Sequence, residues 1–149
     1  MRVADAAAVA ELIRRAFAAQ PVAVDPLPSA LQVEVETVAR HLITQGGAIA
    51  EHGTRLVGAL LWEQQGDDLH LSRLAVEPDM RRRGIALRLL DAGETEAVRR
   101  GLKVLSLGTR LALTGNRRLF ARAGYMEIAE AAHPGYAKPT RVELRKRLG

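Results

Sequence analysis

A chain of 149 residues, 48% hydrophobic and 26% charged, has the balance of a folded globular protein and the length of a single domain. No apolar run approaches the roughly 20 residues that span a bilayer, Asp5 and Glu11 interrupt any signal-like start, and without cysteine there are no disulfides, thiolate nucleophiles or cysteine-based metal sites, so a bacterial-type cytoplasm is expected. The net charge of +5 is unevenly spread: residues 1–80 hold 6 Arg and no Lys against 11 acids (−5), and residues 81–149 hold 16 basic against 6 acidic residues (+10). A half built to hold a polyanion gains from such a field through steering and direct pairing. A nucleic-acid surface shares the signature, but aromatics at 3% supply no base-stacking platform.

In chain order, a helix is expected over 5–19. Asp5 stands as N-cap, and Val9, Leu12, Ile13, Ala16 and Phe17 form one buried stripe. Residues 20–30, with three prolines, read as a loop, and a second helix runs from about Leu31 to Thr44 with Leu31, Val35, Val38 and Leu42 on one face. Gly46-Gly47 opens three strands, the short 48–51 and then 55–64 and 69–76, separated by turns at His52-Gly53 and at residues 65–68, which reads as an antiparallel meander. On the third strand a period of two puts His70 on one face with Ser72, Leu74 and Val76.

The organising stretch is Leu74 to Leu90, LAVEPDMRRRGIALRLL. A strand end turns at Pro78, crosses Arg81, Arg82 and Arg83 to Gly84, and enters a helix with apolar residues at Ile85, Leu89, Leu90, Ala97 and Val98. The first N–H groups of a helix have no internal partner and its dipole is positive there, so this turn suits a phosphorylated ligand. Neither Gly-x-x-x-x-Gly-Lys-Ser/Thr nor Gly-x-Gly-x-x-Gly occurs, which removes P-loop and dinucleotide-fold readings. A solvated basic loop ahead of an ordinary helix is the bland alternative.

After that helix, the apolar strand 104–108 follows a strand–helix–strand crossover and is expected to pair in parallel with 69–76. A last helix spans Thr114 to Ala123, capped by Thr114 or Asn116 and closed by Gly124. Strands at 125–129 and 140–147 close the chain; the second alternates Val142 and Leu144 with charged residues, so one of its faces is wet.

Arg81-x-x-Gly84-x-Ala86, between such a strand and such a helix, resembles the acetyl-CoA loop of the GNAT N-acetyltransferases, whose signature is Gln/Arg-x-x-Gly-x-Gly/Ala. Residues 116–125, NRRLFARAGY, resemble that family's second motif, a helix ending at Gly-Phe/Tyr. The resemblance covers nearly the whole chain. It implies an α/β (α+β mixed sheet) fold, mainly antiparallel with one splayed parallel pair flanked by helices, comprising one GNAT domain over residues 1–149. It also implies a first strand, for which only Met1 to Ala4 are available, so that strand is short or missing.

Acetyl-CoA is then the implied co-substrate, its pantetheine arm aligned by the backbone of Leu74, Ala75 and Val76 and its pyrophosphate held by Arg81, Arg82, Arg83, Gly84, Ile85 and Ala86. Asn116 and Phe120 are the implied contacts from the last helix. Many family members carry a Tyr as acid for the leaving thiolate where this chain has Phe120, which cannot donate a proton.

Acid–base candidates are therefore sought elsewhere. His70 matches a family histidine that acts through ordered water and has a suitable ordinary pKa; otherwise it is a hydrogen-bonded sheet histidine. Tyr136, near His133 in the loop before the last strand, is a replacement acid, an aromatic lid or a loop anchor. Glu51 and Glu63 read as solvated carboxylates and Trp62 as core. Arg118 and Arg122, four apart beside Arg117, either meet the 3′-phosphate or form a solvated face. No metal-ligand spacing is present, and direct acetyl transfer to an amine requires no metal. The expected activity is transfer to an amine of a small molecule or protein. The rivals are an acyl-CoA-binding regulatory module without turnover and a transferase acting on charged tRNA. A homodimer through sheet edges is compatible with such a small domain.

Overall fold

The computed structural model describes residues 1–20 and 24–149; residues 21–23, including the first proline of the expected loop, lie outside the described residues. The sheet contains β1 (Gly47–His52), β2 (Arg55–Gln65), β3 (Asp68–Val76), β4 (Val104–Arg110), β5 (Met126–Ala131) and β6 (Arg141–Arg147) in the order β1-β2-β3-β4-β6-β5. Every pairing is antiparallel except β3 with β4. The helices are α1 (Ala6–Ala18), α2 (Val35–Thr44), α3 (Ile85–Arg99) and α4 (Thr114–Arg122).

The sheet separates two cores. Val9, Leu12 and Ile13 of α1 and Val38 of α2 pack on Ala59, Leu61 and Ala75. On the opposite face, Leu89, Leu90 and Ala97 of α3 and Phe120 of α4 pack on Leu60, Trp62, Leu69, Leu71, Leu105, Leu107, Val142 and Leu144. The helical stripes read from the sequence supply both layers, because burying an apolar face on the sheet is what stabilises helices this short.

Local chemistry departs from expectation at four ends. Residues Val3–Asp5 form a 3-10 turn in place of a first strand, and the Asp5 carboxylate accepts the Arg2 N–H at 2.7 Å instead of capping α1. The expected helix over 31–44 is broken: Ser29–Gln32 is a 3-10 turn, Val33 and Glu34 are extended, and α2 starts at Val35. The Val33 carbonyl, which a continuous helix would use internally, accepts instead from Arg14 Nη1. Neither Thr114 nor Asn116 caps α4, whose N-cap is Leu113; the chain enters through tight turns in which Leu113 N–H bonds Arg110 O and Thr114 N–H bonds Ala112 O.

The other end of α4 follows the sequence. Gly124 has φ +95°, its N–H bonds Ala121 O, and Tyr125 N–H reaches back to Phe120 O at 2.9 Å, a Schellman closure with the Phe120 and Tyr125 rings edge to face. Tyr125 is 4% exposed and its hydroxyl has no hydrogen-bond partner among the described residues. A buried hydroxyl without a partner costs about 1–3 kcal/mol, so Tyr125→Phe is expected to stabilise the fold by about 1 kcal/mol, read as a raised midpoint in chemical denaturation.

One sheet irregularity bears on function. Leu61 pairs with Ser72 but Ala59 with Ala75, so Arg73 and Leu74 together oppose Leu60, and Arg73 takes φ +54°. This β-bulge reverses the alternation of β3. His70, Ser72 and Ala75 face the α1–α2 side, and Leu74 and Val76 face α3. The expected common face of His70, Ser72, Leu74 and Val76 is therefore divided between the two sides, because the extra residue breaks the period of two.

Candidate active site

β3 and β4 pair only over residues 68–70 with 104–106. Beyond that point β3 stays with β2 and β4 with β6, and the strands diverge. A cavity of about 1110 Å³ occupies the gap. It brings together Leu74, Ala75 and Val76 from β3, Arg81, Arg82, Gly84, Ile85 and Ala86 from the following turn, and Asn116 and Phe120 from α4, with His70 in the same wall. Arg118 and Arg122 also line it, while Arg117 pairs with Glu127 at 2.8 Å and donates to Leu111 O. Arg83 and Tyr136 are not in its wall.

The turn into α3 is held firmly. Glu77, 6% exposed, receives Arg15 Nε at 3.0 Å from α1 and Arg55 Nη2 at 2.9 Å from β2, and its N–H bonds Val57 O. Arg55 also reaches Asp79, and these two carboxylates raise its pKa further while Asp79 is lowered by Arg55. Arg81 turns its guanidinium to the C-terminal carbonyls of α1, Ala16 O and Ala19 O, where the helix dipole favours a cation. Its side chain is thus committed to anchoring, and only its backbone is left to face a ligand. Arg82 (φ +65°) and Gly84 (φ +78°) then curl the chain in the left-handed region into α3, whose first turn has no side-chain cap. Uncapped N–H groups at the start of a 15-residue helix, beside the exposed Arg82, have the chemistry to receive an anion.

Glu77 carried no recognisable sequence signal, since its partners lie 62 and 22 residues away. Because Arg15 and Arg55 are about half exposed and can return to water, Glu77→Gln is expected to cost only about 1–2 kcal/mol of stability. It should nevertheless weaken ligand affinity at the turn. Denaturation and calorimetry on one sample would separate the two effects.

On the α1–α2 side, His70 is the last residue of β3 paired with β4. Its Nδ1 lies 3.0 Å from Ser106 Oγ, a residue 8% exposed. Burial, the largest influence, and the nearby Arg141 lower the His70 pKa, with Glu63 and Asp68 opposing, which favours the neutral imidazole. With Nδ1 beside Ser106, Nε2 is the ring nitrogen without a hydrogen-bond partner among the described residues, and His70 lines the cavity. Tyr136 donates its hydroxyl to Asp25 at 2.5 Å, and that bond raises its pKa, so the phenol ties the β5–β6 loop to the segment before α2. Of its sequence-based alternatives, this contact favours the loop anchor. Trp62 is buried in the core as expected.

Three further residues in the wall had no motif to mark them. Arg73, at the bulge, donates to Ser29 Oγ at 3.0 Å; Arg110, at the end of β4, donates to Pro26 O and Leu27 O; and Arg141, at the start of β6, pairs with Glu143. Their juxtaposition depends on strand register.

Comparison with known proteins gives a consistent result. The model of the acetyltransferase (GNAT) family matches residues 8–125. No curated protein matches the chain at a significant level. Among solved structures, the PaiA N-acetyltransferase of Thermoplasma acidophilum in complex with coenzyme A is similar with TM-score 0.81 at 13% identity, covering 99% of this chain and 95% of that one. A ribosomal-protein-alanine N-acetyltransferase from Brucella melitensis gives 0.78 at 20%, covering 99% and 97%. The ribosomal-protein-S18-alanine N-acetyltransferase of Escherichia coli gives 0.75 at 18%, covering 99% and 90%.

Proposed function

The chain belongs to the GNAT acetyltransferase family, and from that premise we propose that it binds acetyl-CoA in the β3–β4 cavity and transfers the acetyl group to an amine by direct attack. The observation that carries this reading is the convergence on one cavity of the uncapped α3 start, the divergent strand pair and the Asn116–Phe120 face of α4. The pyrophosphate is assigned to the backbone of residues 81–86 with Arg82, and the 3′-phosphate to Arg118 and Arg122. Pantetheine amides pair with the free backbone edge of Leu74–Val76. The complex of the Thermoplasma relative with coenzyme A supports the choice of ligand.

The amine approaches from the α1–α2 side, where His70 stands. A neutral amine attacks the thioester carbonyl, a C–N bond forms, and the tetrahedral intermediate carries an extra proton on nitrogen. His70 Nε2 takes that proton. Collapse breaks the C–S bond, and the imidazolium returns the proton to the thiolate, so free CoA and the acetamide leave with His70 neutral again. One shuttling imidazole replaces the acid that Phe120 cannot be.

Calorimetry with acetyl-CoA and CoA, using ATP and NAD as controls, tests the cofactor assignment. Micromolar binding confined to the two CoA species supports it, and equal binding of ATP would overturn it. Acceptor-dependent thiol release then distinguishes transfer from the second reading, an acyl-CoA-binding module without turnover, which Phe120 in the cavity wall favours.

A further inference from the structure

Three guanidiniums reach the acceptor side of the cavity from separate elements, Arg73 from the β3 bulge, Arg110 from β4 and Arg141 from β6. Register places Arg110 opposite Arg141, on the sheet face away from Leu107, Val142 and Leu144, and therefore away from α3 and the turn assigned to pyrophosphate. Arg141 lies across Gly108: a Cβ on that glycine would come within 3.5 Å of Arg141 Nη2. Arginine stays charged at any working pH, and like charges drawn partly out of water repel unless an anion joins them.

The protein supplies little compensation. Among the described residues Arg73 and Arg110 have no carboxylate partner; they bond a hydroxyl and two backbone carbonyls. Glu143 pairs with Arg141, and Asp25, which accepts from Tyr136, offsets Arg110 only through space, without an ion pair. His133, in the same wall, is held below its ordinary pKa by burial and then by Arg110 and Arg141. The field is positive around His133, while at His70 itself Glu63 and Asp68 oppose Arg141; three guanidiniums in the wall disfavour polycationic acceptors and reward an amine that carries its own negative group.

Resting on the acetyl-transfer reading, we propose that the acceptor is an amine bearing an anionic group, a carboxylate or a phosphate ester, and that Arg73, Arg110 and Arg141 bind this group while His70 faces the nitrogen. Guanidiniums fit both oxyanions through paired N–H donors.

The test loads the protein with CoA and titrates product analogues in matched pairs. N-acetyl amino acids with small, acidic and aromatic side chains are set against their carboxamides, and N-acetylaminoethyl phosphate against N-acetylethanolamine. At least one anionic member should bind about tenfold or more tighter than its neutral partner, and the pair that does so tells carboxylate from phosphate. In Arg73→Met and Arg110→Met that preference should fall to about twofold or less at unchanged CoA affinity, a ratio that mere loop loosening would not shift. Equal binding of neutral partners, or no anion bound at millimolar concentration by the CoA-loaded protein, would overturn the inference. Failure to bind CoA at all would instead strike the cofactor reading.

Discussion

Gly84→Val is expected to abolish measurable acetyl-CoA binding while the protein stays folded. Gly84 is the N-cap of α3 with φ +78°, a region where a β-branched residue is strained. A Cβ there would have no heavy atom within 4 Å, so packing does not oppose the side chain. The loss of stability should be confined to backbone strain, about 1–2 kcal/mol, because the sheet and both cores lie elsewhere. Binding suffers much more. The turn presents backbone N–H groups to a pyrophosphate, and an isopropyl group there prevents close approach and re-aims the first turn. A loss of about a hundredfold or more in affinity, near 3 kcal/mol, follows if two or more charge-assisted hydrogen bonds are lost. Gly84→Ala, which meets the strain with less bulk, should fall between the two. Circular dichroism with calorimetry decides: unchanged affinity in a folded Gly84→Val protein would remove the phosphate-binding assignment.

The second large effect is expected at His70. His70→Gln keeps a side chain able to bond Ser106 but removes the titrating nitrogen, and kcat should fall about 10²- to 10⁴-fold with acetyl-CoA affinity unchanged. The pH profile gives the sharper readout. Because burial depresses the His70 pKa, the basic form prevails above its folded value and is lost as pH falls through it. The acidic limb of kcat/KM should therefore lie below the ordinary imidazole range and vanish in the variant. Retention of that limb in His70→Gln would move the proton transfer to another group. Ser106→Ala should leave the limb in place but shift it, since the hydroxyl only orients the ring.

Much of the cavity was legible because its signals are local. The spacing of Arg81, Gly84 and Ala86, the apolar period of α3 and the Gly124 closure each depend on neighbours within one or two helical turns, and each appears where the residues place it, except that Val98, read into the apolar period, is 67% exposed and lies off the buried face. The charge switch at residue 81 likewise marked the half that contributes Arg118 and Arg122 to the cavity wall. Helix ends were read less well. Asp5, Thr114 and Asn116 have the right chemistry for caps, but Arg2 N–H and the turns at Leu113 and Thr114 provide alternative partners that propensity does not weigh.

The acceptor side was hidden because it is assembled by register and by contacts far apart in the chain. Arg81 read as a phosphate ligand until α1, more than 60 residues earlier, supplied two carbonyls for its guanidinium. Tyr136 finds Asp25 across 111 residues. By itself the amino-acid sequence determined the family, the turn into α3 and the helical faces, since turn stereochemistry, helical period and unpaired N–H groups are properties of short segments. Only the tertiary structure decided which sheet face His70 occupies and which arginines surround it, because one extra residue at Arg73 reverses the strand's alternation and pairing at a distance leaves no period to read.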